Sequence, residues 1–148
     1  MIRTTFGAAA GLAAALVLTG CTSKPPAIVP AEGMVVRNNQ PVPHAFVQFV
    51  PMIKGFGAEY IASATTDENG RYKLECNGQP GACACETRVT VMDGAVPDKL
   101  RGNQKEESIF LSKLKNRPIP SSYASVANTP LVINVTANQT EYVLDVSK

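Results

Sequence analysis

The side chains best suited to chemistry in this 148-residue chain are four cysteines and a single histidine. Three of the cysteines, Cys76, Cys83 and Cys85, crowd into one short stretch, CNGQPGACAC. Thiols so spaced can form a disulfide, hold a metal as thiolates, or pack reduced as small hydrophobes. A closed structural zinc site takes four ligands, and no obvious fourth stands near these three. His44 could act as a metal ligand or a general base. A base needs a partner within reach, and no serine–histidine–aspartate order is evident around it. Asp67-Glu68-Asn69-Gly70 superficially resembles a calcium loop. It lacks the ligand series and closing glutamate of an EF-hand, so turn chemistry is the simpler account. These groups lead to the expectation of no catalytic residue, no metal and no cofactor.

The fourth cysteine, Cys21, has a different context. Arg3 supplies a small positive charge, and Phe6 to Leu18 is then an uncharged apolar run. At about 13 residues it has the length of a signal-peptide hydrophobic region and falls short of a membrane span of about 20. Leu18-Thr19-Gly20-Cys21 follows, and this resembles the lipobox of bacterial lipoproteins. The thiol would be the nucleophile for diacylglyceryl transfer, and the small residues before it would suit the signal peptidase. Residues 1–20 are therefore expected to be a signal peptide and Cys21 the acylated, palmitate-bearing first residue of the mature chain. One acyl chain binds a membrane weakly, so stable anchoring implies two or three. Thr22 stands where an aspartate would resemble the inner-membrane retention signal of enteric bacteria. The expected location is the cell envelope, anchored by lipid to the outer membrane.

The charges nearly balance, with 14 Lys+Arg against 12 Asp+Glu. No basic cluster interleaved with aromatics is present, so nucleic acid is not an expected partner. The length after the signal suits one domain. Thr22 to Ala31 holds three prolines and little periodicity, which reads as the remainder of a lipidated tether over residues 21–31. The domain is expected over residues 32–148.

Within it, short alternating segments predict seven strands. Gly33 to Val36 is the first, followed by a tight turn at Asn38-Asn39. His44 to Val50 is the second, ended by Pro51. Tyr60 to Thr65 and Arg71 to Cys76 flank Asn69-Gly70 and are expected to pair as a hairpin. Cys85 to Val91, Leu131 to Val135 and Tyr142 to Val146 complete the set. Ala95 to Ser125 looks the least ordered. Within it Lys105 to Lys115 predicts a short helix with Ile109, Leu111 and Leu114 inward, stopped by Pro118 and Pro120. Its charges read as a solvated face. Such alternation predicts an all-β, antiparallel sandwich with a long loop or short helix before the last two strands.

On this reading Cys76 ends one strand, and Cys83 and Cys85 open the next. Inward positions on antiparallel neighbours approach closely enough to cross-link. Export permits disulfides. One disulfide is expected, from Cys76 to Cys83 or Cys85, with Cys85 preferred because Pro80 stiffens the shorter loop. A loop this short would gain roughly 2–3 kcal/mol. The thiolate site and the three reduced thiols remain the alternatives.

GMVVRNNQPVPHAFVQFVP followed by TTDENGRYKL resembles the carboxypeptidase regulatory-like domain. The shared elements are Gly33, Pro41-Val42-Pro43, Ala45, Val47, Phe49, Pro51 and the Thr66-Asp67-Glu68-Asn69-Gly70-Arg71-Tyr72 segment. The resemblance implies a transthyretin-like Greek-key fold. In it Asp67 would bond forward to turn amides, Gly70 would take positive φ and Tyr72 would enter the core. Ile119 to Tyr123 and Leu131 to Val135 also resemble the closing part of small planctomycete-type lipoproteins. Two features depart from the pattern: His44 stands where such domains usually have glycine, and the cysteine cluster is additional. Related intradiol dioxygenases and hydroxyisourate hydrolases need several histidines, which this chain lacks. The expected function is a non-catalytic, envelope-tethered structural or binding module for a protein or glycan. The alternative is an accessory or assembly subunit of an envelope complex.

Overall fold

The computed structural model describes residues 24–55 and 57–148. The expected signal peptide and Cys21 lie outside the described residues. In chain order the strands are β1 (Ile28–Val29), β2 (Glu32–Arg37), β3 (Gln40–Pro41), β4 (Ala45–Pro51), β5 (Ala62–Thr65) and β6 (Arg71–Lys73). They continue as β7 (Glu75–Cys76), β8 (Gln79–Pro80), β9 (Ala82–Cys83), β10 (Glu86–Asp93), β11 (Val132–Asn134) and β12 (Glu141–Asp145). One α-helix, α1 (Gln104–Ser112), interrupts the long connection between β10 and β11.

The protein is an all-β sandwich. One sheet has the order β11-β10-β4-β5-β7-β8, and the other joins β12, β2, β3 and β6. Alternation decides which faces meet. Ala45, Val47 and Phe49 of β4 are buried while Phe46, Gln48 and Val50 between them are half-buried. They face Val35, Tyr72, Tyr142 and Leu144 of the second sheet in one core. Phe49 bridges the sheets, with its ring centroid 6.2 Å from those of Tyr72 and Tyr142. Removing this apolar area from water is the main stabilising term. Gly33 is required by close approach: a Cβ there would lie 1.8 Å from the Tyr142 carbonyl oxygen.

Each expected strand has a counterpart, and the structure refines the count to twelve among the described residues. β1, β3, β8 and β9 are two-residue strands, too short for alternation to register. The expected strand Arg71 to Cys76 divides between sheets. β6 pairs with β2, and only Ser63 opposite Glu75 pairs β5 with β7. The Asn69-Gly70 turn thus closes the expected hairpin, with the Asp67 amide on the Arg71 carbonyl and Ser63 opposite Glu75, while β6 between them leans across to pair with β2 in the other sheet. One pair, β12 with β2, is parallel. This is possible because the 135–140 turn carries the chain from one sheet to the other before β12 begins.

The strands define two ends of the sandwich. At one, Pro51 lies opposite Thr87 and Glu32 opposite Glu141. At the other, Ala45 lies opposite Asp93 and Val36 opposite Asp145. β4 alone separates them by roughly 20 Å, at about 3.3 Å per residue. The chain joins the body at the first end. The Ala84 amide donates to the Ala27 carbonyl at 2.8 Å, β1 pairs with β9, and Ala31 is buried. Among the described residues the bonded body therefore begins at Ala27, inside the segment expected to be tether.

The connection from Gly94 to Pro130 is pinned, contrary to its irregular sequence. Arg117 donates to the Pro43 and His44 carbonyls at 2.7 and 3.2 Å and pairs with Asp93. Asn116 donates to the Pro41 carbonyl. Thr129 donates to the Val89 carbonyl at 2.6 Å, and Arg88 reaches back to the Val126 carbonyl at 3.0 Å. Asn103 caps α1 by accepting from the Glu106 amide at 3.3 Å. The helix does not bury the residues expected. Ile109 and Leu111 are 43% and 44% exposed, and Leu114 is half-buried. α1 lies at the margin of the body, so its apolar residues have no core to enter.

Candidate functional site

The end opposite Ala27 carries a cleft of about 590 Å³. One wall is Pro43, His44 and the Thr66–Asn69 turn. The other is Phe110, Lys113, Leu114 and Lys115, from α1 and the residues after it.

The first wall is built by turn chemistry. The Asp67 carboxylate accepts from the Asn69 and Arg71 amides at 2.8 and 2.9 Å. The Gly70 amide closes the turn on the Asp67 carbonyl at 3.0 Å, and Gly70 has φ +72°. Asn69 is not in the left-handed region, so the turn is the longer kind that ends in a glycine bulge. A Cβ on Gly70 would lie 2.9 Å from the Val35 carbonyl oxygen and from the Val42 nitrogen. Thr66 locks the turn to the strand before it. Its hydroxyl donates to the Val42 carbonyl and accepts from the Ala45 amide, both at 2.8 Å.

His44 links the walls. Its φ is +52°, the left-handed region natural to glycine. Its Nε2 lies 2.9 Å from the Ala95 carbonyl, which can only accept, so Nε2 is the donor. The ring also meets Phe110 edge-on at 4.9 Å. His44 thus holds the start of the crossover and the face of α1 at once. No carboxylate or hydroxyl among the described residues is hydrogen-bonded to it, as orienting a base would require. The cleft pairs carboxylates of Asp67 and Glu68 on one wall with ammonium groups of Lys113 and Lys115 on the other. It can receive a chain segment of mixed charge. The one aromatic ring in its lining, Phe110, already has its face or edge engaged by His44.

The cysteines lie at the other end. Cys76 and Cys83 are buried beside each other. Their thiols donate to the Glu59 and Tyr60 carbonyls at 3.7 and 3.6 Å. All three cysteines are thiols in this structure, so the expected disulfide is not formed. The preferred partner also changes. Cys83 is the neighbour of Cys76, while Cys85 is half-buried and turned toward the Met52 backbone. The cause is β9, whose pairing with β1 sets Cys83 in the core. Burial raises all three thiols, and Cys83, beside Cys76, is pushed up from 9.0 to about 12. They are protonated and weakly nucleophilic at neutral pH. No group of three His, Cys, Asp or Glu side chains among the described residues could hold a metal ion.

The Asp67 turn and His44, singled out in the sequence, meet in the cleft. The cysteines do not join them. Phe110, Lys113, Leu114 and Lys115 fell in the expected helix but were not singled out as site residues, and Arg117 was not singled out at all. The available signal was the Asn103 cap, which fixes where α1 starts. No family model matches the chain, and no curated protein or solved structure matches it either.

Proposed function

We propose that the protein is a non-catalytic envelope module, lipid-anchored at Cys21, that binds a protein segment in the cleft between the Asp67 turn and α1. A carboxypeptidase regulatory-like, transthyretin-like identity is part of this reading and rests on the residues quoted for it. The observation that carries it is the placement of chain and cleft at opposite ends of the sandwich. Ala27 joins the body beside Ala84, and the cleft opens beyond His44 and Asp93. A domain anchored before Ala27 would hold the cleft away from the membrane. Opposed charged walls suit a peptide of mixed charge better than a neutral glycan, which is usually gripped by free aromatic faces. The test has two arms. Palmitate label on the wild type that vanishes in Cys21→Ser supports the anchor, and label that persists overturns it. A photocrosslinker at Lys113 should give a protein adduct in intact cells that weakens in Glu68→Lys. Adducts indifferent to that charge, or adducts with carbohydrate, overturn the protein-binding cleft.

The edges favour a second reading, an accessory subunit of an envelope complex. β11 and β12 are edge strands joined by residues 135–140, and carry Val132 and Val143 at 51% and 62% exposed. Open edges with exposed apolar side chains can accept a strand from another chain. An adduct at Val143 in place of Lys113 would favour this reading.

A further inference from the structure

We infer that the Met52–Lys54 loop is a membrane-contact surface, which docks the tether end of the sandwich onto the phospholipid headgroups. The inference rests on the anchoring of Cys21 proposed above. Between Cys21 and Ala27, the first described residue bonded to the body, stand only residues 22–26. Fully extended, the six steps from Cys21 to Ala27 reach about 20 Å. A body so close to its anchor is restricted in orientation, and the end that carries Ala27 is the one held nearest the bilayer.

Met52 lies at that end. Its amide donates to the Glu86 carbonyl at 2.9 Å, and Glu86 is two residues from Ala84, the partner of Ala27. Met52 is therefore on the order of 15 Å from the point where the tether meets the body. Its side chain is 48% exposed, Ile53 is half-buried and Lys54 is exposed. An apolar tip followed by a lysine is the composition that settles at a bilayer interface. The apolar groups enter the headgroup boundary and the ammonium stays among the phosphates. Alone, so small a contact would bind negligibly. Held beside the membrane by the anchor, it acts at a high local concentration. Glu59 and Glu86 are exposed acids at the same end and offset Lys54. Contact should therefore depend on apolar insertion and persist on uncharged lipid.

The chain contains no tryptophan, so a single introduced indole reports its own surroundings. The acylated full chain carrying Met52→Trp, or Lys54→Trp as a second reporter in the same loop, is reconstituted in phosphatidylcholine vesicles. Leu111→Trp, at a position of similar exposure on the cleft side, is the control. The expected result is a blue-shifted emission at the loop, quenched about twofold or more by brominated phosphatidylcholine, with the control unquenched. Loop indoles left unquenched in protein that floats with the vesicles overturn the contact and leave the anchor standing. A blue shift without bromine quenching assigns the loop to a protein neighbour and also overturns it. Protein that lacks acyl chains on Cys21 by mass and does not float overturns the anchor, and the inference with it.

Discussion

The sandwich and its long crossover are held by different forces. Between the sheets, Phe49, Val47, Val89 and Leu144 are almost fully buried and contribute through area removed from water. Between Gly94 and Pro130, α1 buries no residue completely. Tyr123 is the one apolar side chain this segment buries in the core, and polar side chains that bond to carbonyls fix the rest: Arg117, Asn116, Thr129, Arg88 and His44. Apolar burial is diffuse and cooperative, so damage to it should unfold the whole. Polar pins act singly, so damage should release one segment and leave the sheets. The cleft lies between the two regimes, with one rigid wall and one wall that can be loosened.

The largest effect should come from the sandwich. Phe49→Ala removes the ring that bridges Tyr72 and Tyr142, and should cost about 3–5 kcal/mol. Denaturant unfolding should remain a single transition with a lower midpoint. Two separated transitions would mean that the sheets are not one cooperative unit.

Gly70→Val strikes the rigid wall. A β-branched residue must take a φ near +72° and push its Cβ against the Val35 and Val42 backbone. The expected cost is about 2–4 kcal/mol. An unchanged melting midpoint would contradict the turn described.

Arg117→Ala strikes the other regime. Loss of its bonds to the Pro43 and His44 carbonyls should cost about 1.5–3 kcal/mol. Hydrogen exchange should rise across residues 94–118 while β4, β10 and the stretch held by Tyr123 and Thr129 stay protected. Uniform loss of protection would erase the distinction between the two regions.

His44→Gly should change stability by no more than about 1 kcal/mol. Glycine relieves the left-handed backbone but loses the Ala95 bond and the Phe110 contact, so the two terms oppose. α1 should nevertheless exchange faster. A variant in which α1 keeps its protection would show that the ring does not hold the helix.

The smallest effect concerns the thiols in neutral solution. Because burial raises the folded Cys83 pKa above its ordinary value, its stabilising contribution is complete below about pH 9. It should fade as pH rises toward 12, since only the unfolded thiol then ionises freely. Stability should be flat near pH 7, and a fall beginning there would refute this protonation state. Oxidation should yield a Cys76–Cys83 bridge before any involving Cys85, read by peptide mapping.

Much of the sandwich was legible from its residues. Period-two alternation in Ala45–Val47–Phe49 and Tyr142–Leu144–Val146 reports a face that must be buried, and Gly70 reports a positive φ, because these are local requirements. His44, Asp67 and Gly70 could likewise be singled out from residue type and neighbours. The partnership of strands could not be read. Arg71 to Lys73 satisfies β2 as well as it would β5, and two-residue strands such as β1 carry no period. Nor could the far wall of the cleft be read. Arg117 and Thr129 choose carbonyls dozens of residues away, and every carbonyl is chemically the same acceptor. The same holds for the cysteines, where spacing allowed Cys76 two partners and the pairing of β9 with β1 selected Cys83. Sequence determined which faces are apolar and which turns are possible, because both depend on side chains a few residues apart. Only the tertiary structure decided which sheet, which carbonyl and which thiol each residue meets, because those choices depend on chain brought together from a distance.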